Sequence, residues 1–174
     1  MEYRVMIKEE LKRVAELDRR EKIEAVYYYR DGCLDLVSEH WGVPEWSSRE
    51  KQQKINSLHE LHDRGGTIIG AFDESRVVGV IALDNKYIGR SNDQLNLPGL
   101  WVSKEYRKRG VGKTLVELVM QKAREIGAKR LYVSATPSEN TVNFYLKRGF
   151  RLAHEINQRL FELEPEDIHM ELEL

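Results

Sequence analysis

The spacing of apolar positions changes several times along the chain, and each change marks an element. Tyr3 to Ile7 predicts a short strand, and from Lys8 to Asp18 the residues Leu11, Val14 and Ala15 fall at helical spacing. The stretch from Ile23 to Tyr29 is dense in aromatic and β-branched residues. Asp31-Gly32 supplies the positive φ of a tight turn, so a β-hairpin is expected at about 23–40. Ser47 and Glu50 form a capping-box pattern that opens a helix to about Asp63, ended by Gly65-Gly66. Two short apolar runs, 67–72 and 76–83, are joined by Asp73-Glu74-Ser75 and predict an antiparallel hairpin. A strand is expected over 95–102, with Pro98 and Gly99, poor ladder residues, marking a bulge or splay.

From Gly110 onward, Val111, Leu115, Leu118, Val119, Ala123 and Ile126 recur on one helical face, with charges between them and Gly127 as terminator. Residues 130–135 read as a strand, 138–148 as a helix closed by Gly149, and the tail as two strands around Glu164-Pro165-Glu166-Asp167. No repeat and no Pro/Gly/Ser-rich linker divides the sequence, so residues 1–174 are expected to form a single domain of mixed α/β class.

Composition narrows the partners. Among 174 residues, 28 Lys+Arg balance 29 Asp+Glu, and apolar residues make up 41%. Such a chain is globular by composition, and no apolar run approaches the ~18 residues of a membrane span. Near-neutrality argues against nucleic-acid binding through bulk charge, so an anionic ligand must be met by local groups. Cys33, the one cysteine, has no internal partner, and Met1-Glu2-Tyr3-Arg4 leads into no apolar signal region, so a cytoplasmic setting is expected.

The densest chemistry lies at Arg107-Lys108-Arg109-Gly110-Val111-Gly112, between a strand and the start of the long helix. Small glycines let an anion approach the backbone, and the unpaired first-turn N–H groups and helix dipole favour a pyrophosphate there. Gly112-Lys113-Thr114 also ends like a nucleotide P-loop, but Arg107 stands where that motif needs its first glycine. A dinucleotide fingerprint fails as well, because Leu115 occupies its third glycine position.

The pattern Arg/Gln-x-x-Gly-x-Gly/Ala after an apolar strand does fit, and here the chain resembles the GNAT superfamily of acetyl-CoA-dependent N-acetyltransferases. A second motif supports the resemblance: Asn140 to Phe150 carries an Asn, the Phe144-Tyr145 pair and a Gly149-Phe150 ending. The likeness covers about 68–155, and the hairpin at 23–40 departs from a minimal member of the family. It implies a GNAT-type acyl-CoA N-acyltransferase fold: a mixed, mostly antiparallel sheet, a splayed parallel strand pair at about 95–102 and 130–135, and helices on both faces.

The resemblance also implies the site. The backbone of Trp101 and Val102 pairs with pantetheine, and a bulge near Leu100 aims an N–H at the thioester oxygen. The N–H groups of Arg109, Gly110, Val111, Gly112 and Lys113, next to Thr114, cradle the pyrophosphate, and Arg107, Lys108 and Lys113 add positive charge. Tyr145 protonates the departing thiolate, and Asn140 holds the cofactor arm or the helix start. A glutamate that many relatives use as a base is replaced by Asn96; water ordered by Asn96, Asp93, Glu139, Glu39 or His40 remain alternatives. The expected activity is direct acetyl transfer from acetyl-CoA to a primary amine of a small molecule or peptide, with a non-catalytic acyl-CoA-binding module as the alternative.

No metal is expected, because His59-Glu60-Leu61-His62 lacks the histidine spacing of a zinc helix. Both histidines fall on one helical face, half-buried or along the acceptor cleft. The hairpin and the segment after it carry Tyr27, Tyr29, Asp31, Asp35, Glu39, His40, Trp41, Glu45 and Trp46. Aromatic faces beside carboxylates suit capture of a cationic amine, and a homodimer interface is the competing reading.

Overall fold

A computed structural model describes residues 1–174. It opens with β1 (Glu2–Val5) and a run of 3-10 turns over Lys8–Glu16, where the sequence predicts an α-helix. The buried residues there are Leu11 and Val14, followed by Leu17 at its C-cap, a spacing of three that matches the tighter period. The hairpin β2 (Glu21–Arg30) and β3 (Cys33–Val43) reaches past its expected limits and turns at Asp31 (φ 48°) and Gly32 (φ 84°), both left-handed as the turn requires. The reciprocal capping box of Ser47 and Glu50 starts α1 (Ser48–Asp63). Next come β4 (Thr67–Asp73), β5 (Arg76–Leu83), β6 (Tyr87–Ile88), β7 (Gln94–Asn96) and β8 (Gly99–Val102). After them run α2 (Val111–Glu125), β9 (Arg130–Ala135), α3 (Glu139–Leu146) and β10 (Arg151–Leu152). The chain closes with α4 (Gln158–Leu163) and β11 (Ile168–Glu173). The tail thus holds a helix that the sequence reading omits; Asn157 caps it, accepting the Leu160 N–H at 3.1 Å.

One antiparallel sheet has the order β1-β4-β5-β8, and a second has the order β10-β11-β9-β7-β6, in which only β7 and β9 run parallel. The expected single strand over 95–102 is therefore two strands in different sheets. The ladder to β9 ends with the Leu97 N–H on Tyr132 O at 2.8 Å, and Pro98, without an N–H, follows. The splay falls at 97–98, where the sequence marks Pro98, and beyond it β8 pairs with β5 alone; Leu100 pairs with Ile81 in regular register, without the bulge expected near it.

Helices cover both faces of the first sheet. Val111, Leu115, Val116, Val119 and Ala123 of α2 pack with Ala71, Val78 and Ile81. On the other face Leu58 and Leu61 of α1 join Met6, Leu11, Phe72 and Val80. Each fully buried Leu or Val contributes ~1.5–3 kcal/mol relative to exposure. In the second sheet the buried Glu171 carboxylate takes Arg130 at 3.3 Å and Arg151 at 3.5 Å, while Arg130 also holds Asp93 at 2.8 Å. This network ties β11 and β9 to the residue that precedes β7. No helix is long and apolar enough to cross a membrane.

Candidate active site

Where β8 leaves β9, a cleft of about 940 Å³ opens at the seam between the two sheets. Its wall includes Lys108, Gly110, Gly112 and Lys113 from the loop that starts α2. Lys108 (φ 59°) and Gly110 (φ 88°) both take left-handed backbone there. The N–H groups of residues 108–113 make no backbone hydrogen bond, and the first helical bond runs from the Thr114 N–H to Gly110 O at 3.0 Å. Six consecutive donors at a helix N-terminus are thus unspent, which is the electrostatic environment of a phosphate. The Thr114 N–H is spent on its bond to Gly110 O, so the free donors include the expected Arg109 to Lys113 and add Lys108. A Cβ on Gly112 would lie 3.1 Å from the Phe144 ring, so the helix start meets α3 as closely as a glycine allows.

Several side chains act differently from expectation. Arg107 lines the cleft but its guanidinium is engaged by the protein, donating to Val102 O (2.9 Å), Arg19 O (2.8 Å), Arg20 O (3.1 Å) and Glu21 (3.1 Å). It clamps the start of the hairpin to β8. Arg109 lies over the Tyr106 ring, 5.4 Å from its centroid, and Val111 is a core residue, so only their N–H groups can serve the cradle. The Ser103 N–H bonds Val78 O, and antiparallel alternation then turns the amides of Trp101 toward β5 and those of Leu100 and Val102 toward the cleft. Trp101 lines the cleft by its ring, packed edge-on against Trp46 at 5.8 Å, with Lys54 at 5.3 Å. Asn140 caps nothing, since Ser138 is the N-cap of α3; it lines the cleft and donates to Glu21 at 3.0 Å.

Tyr145 is the one tyrosine in the cleft wall. Its ring is buried between Phe144 and Phe150, and its hydroxyl has no hydrogen-bond partner among the protein groups. Burial pushes the phenol above its ordinary pKa, so it stays protonated at neutral pH. Asn96 is buried at the same seam with its Oδ1 unpartnered.

Of the alternative proton acceptors, Asp93 is held by Arg130, Glu39 takes the Tyr28 hydroxyl and His40 faces Glu24; none of the three lines the cleft. Glu139 does. The sequence reading missed Lys147, Arg148 and Asp167. Arg148 stacks 3.4 Å from the Phe144 centroid, and desolvation lowers its pKa. Asp167 lies just before β11, with its carboxylate unpaired; burial, then the charge of Glu164, pushes it up to about 7. Position alone hinted at the first two, which directly precede Gly149. His59 and His62 do not line the cleft, nor do Asp31, Asp35, Glu39 or His40, whereas Trp41 and Trp46 do.

The model of the acetyltransferase (GNAT) family matches residues 23–150, well over half of the chain. The chain belongs to the GNAT acetyltransferase family. The unspent amide donors, the adjoining lysines and the size of the cleft suit a pyrophosphate-bearing ligand with an extended arm. An amino-acid acetyltransferase of Mannheimia succiniciproducens is 28% identical over 125 residues. That match covers 71% of this chain and 25% of the relative, so the chain spans about a quarter of that protein's length. Among solved structures, nourseothricin acetyltransferase superposes with a TM-score of 0.73 at 20% identity, over 99% of this chain and 97% of the other. The PaiA N-acetyltransferase of Thermoplasma acidophilum, in complex with coenzyme A, gives 0.64 at 19% identity over the full length of both. At these identities the likeness speaks for the fold.

Proposed function

We propose that the chain transfers acetyl from acetyl-CoA directly to a primary amine of a small molecule or peptide, and that Tyr145 is the acid. One observation carries the reading: a single unpartnered phenol faces the cleft between the phosphate-type cradle and the two-tryptophan wall. The amide donors of 108–113, with Lys108 and Lys113, hold the pyrophosphate. The inward amides of Leu100 and Val102 hold the pantetheine arm and polarise the thioester carbonyl.

The neutral amine forms the new C–N bond as the C–S bond breaks, and Tyr145 gives its proton to the departing sulfur. The raised pKa of the phenol makes that transfer unfavourable until thiolate charge builds. The same dry surroundings also raise the thiol above its ordinary ~8.5. The proton lost by nitrogen returns to the phenolate through water, for which the unpartnered Asn96 Oδ1 is a ready acceptor.

The test is Tyr145→Phe under single-turnover conditions. Loss of a positioned acid lowers the rate ~10²–10⁴-fold, with acetyl-CoA affinity retained. A rate within about threefold of wild type would refute the assignment.

A further inference from the structure

A second cavity, of about 290 Å³, is lined by β2, the segment from β10 to α4 and the residues that enter β11, and Asp167 lines both it and the main cleft. Its walls are aromatic, with Tyr27 and Tyr29 from β2, Phe161 from α4 and the His169 ring. Glu166 and Asp167 are its charged groups; no lysine or arginine contributes to it. His169 is buried and its Nε2 has no partner, while its Nδ1 lies 2.8 Å from the Tyr132 hydroxyl. Burial lowers the His169 pKa, so the ring stays neutral and supplies no cation to either carboxylate. The Asp167 side chain accepts no hydrogen bond and forms no ion pair, although its surroundings are partly desolvated. Tyr28 also lines it, with the Arg30 guanidinium 5.0 Å from its ring centroid, but no lysine or arginine reaches the lining, and a largely aromatic cavity whose lining charges are carboxylates is complementary to an ammonium.

The contrast with the rest of the cleft decides what kind of molecule carries that ammonium. Lys108, Lys113, Lys147 and Arg148 line the cleft around the start of α2 and the end of α3, where a phosphate belongs. A nitrogen that attacks the thioester must be neutral, whereas a carboxylate in low dielectric keeps a nearby amine protonated and unreactive. One nitrogen cannot do both.

We infer that the acceptor is a small diamine: its distal ammonium is held in the cavity of Tyr27, Tyr29, Phe161, Glu166 and Asp167, while its second amine reaches past Asp167 to the thioester. The cavity is at the small end of ligand pockets and admits one alkylammonium arm. This inference rests on the acetyl-transfer reading above.

The test is calorimetric binding to the protein saturated with coenzyme A, where no turnover occurs. The probes are α,ω-diamines from propane to octane, each compared with the n-alkylamine of equal length. At least one diamine should bind roughly tenfold tighter than its monoamine, the scale of a partly desolvated cation–π and carboxylate contact. Asp167→Asn should abolish the preference and Tyr29→Leu, at an exposed position, should weaken it, with coenzyme A affinity unchanged in both. No preference at any length, or a preference that survives both substitutions, overturns the inference. If the preference is present but no amine is acetylated, the transfer reading fails and the ammonium cavity stands.

Discussion

Replacing Asp167 by asparagine should stabilise the protein, in a pH-dependent way. The folded carboxyl has a pKa of about 7, against 3.8 for an ordinary aspartate, and burial is the leading cause. At ~1.36 kcal/mol per unit the difference is worth ~4 kcal/mol. Asp167 is only half-buried, so solvent screening brings this to ~1–3 kcal/mol. Below the unfolded pKa both states hold the proton and ionisation costs nothing. Between the two pKa values the unfolded aspartate ionises while the folded one resists, so wild-type stability falls as pH rises, and above the folded pKa the loss is complete. Asparagine has nothing to ionise. In thermal unfolding followed by circular dichroism, the variant should therefore melt higher than wild type by ~2–10 °C at pH ~8, with the difference closing toward pH ~4. A variant that melts lower at the alkaline end, or a difference that does not vary with pH, would refute the reasoning. A more stable protein that has also lost its diamine preference would separate recognition from misfolding.

Two further substitutions probe the cradle and its support. Gly112→Ala places a methyl 3.1 Å from Phe144, so the ring under Arg148 must shift; KM for acetyl-CoA should rise roughly tenfold or more, and an unchanged KM would remove the close approach from the argument. Arg107→Ala deletes the donors to Val102, Arg19, Arg20 and Glu21 and should cost ~2–4 kcal/mol in urea unfolding, whereas a loss below ~0.5 kcal/mol would mean that the clamp is not structural.

Local signals were legible in the sequence, and pairings between distant segments were not. The Asp31-Gly32 turn, the capping box at Ser47, the α2 stripe and β9 depend on neighbours a few residues apart, and each appears where the pattern puts it. Pro98 announced an interruption, but which sheet each half joins depends on β5 and β9, far away along the chain. Arg107 sits beside the glycines and so reads as a phosphate ligand; its partner Glu21 is 86 residues earlier, beyond any local pattern. Asp167 belongs to a stretch of acids around a proline that resembles a solvated turn. Only the fold places it at the entry to β11, next to the Ile168–Ala135 pair, where burial removes the carboxyl from bulk water.

The divergence of β8 from β9 also bears on how the protein avoids sticking to itself. β8 ends its sheet, and its inward amides form the kind of open edge on which another chain could add a strand. Here that edge is recessed in the seam, opposite β9 and α3, with charged side chains at the rim. A foreign strand carrying side chains on both faces is too thick to enter, but a slender extended molecule is not. The geometry that admits a coenzyme arm thus excludes a neighbouring polypeptide, and the row of amides needed for binding need not be a nucleus for aggregation.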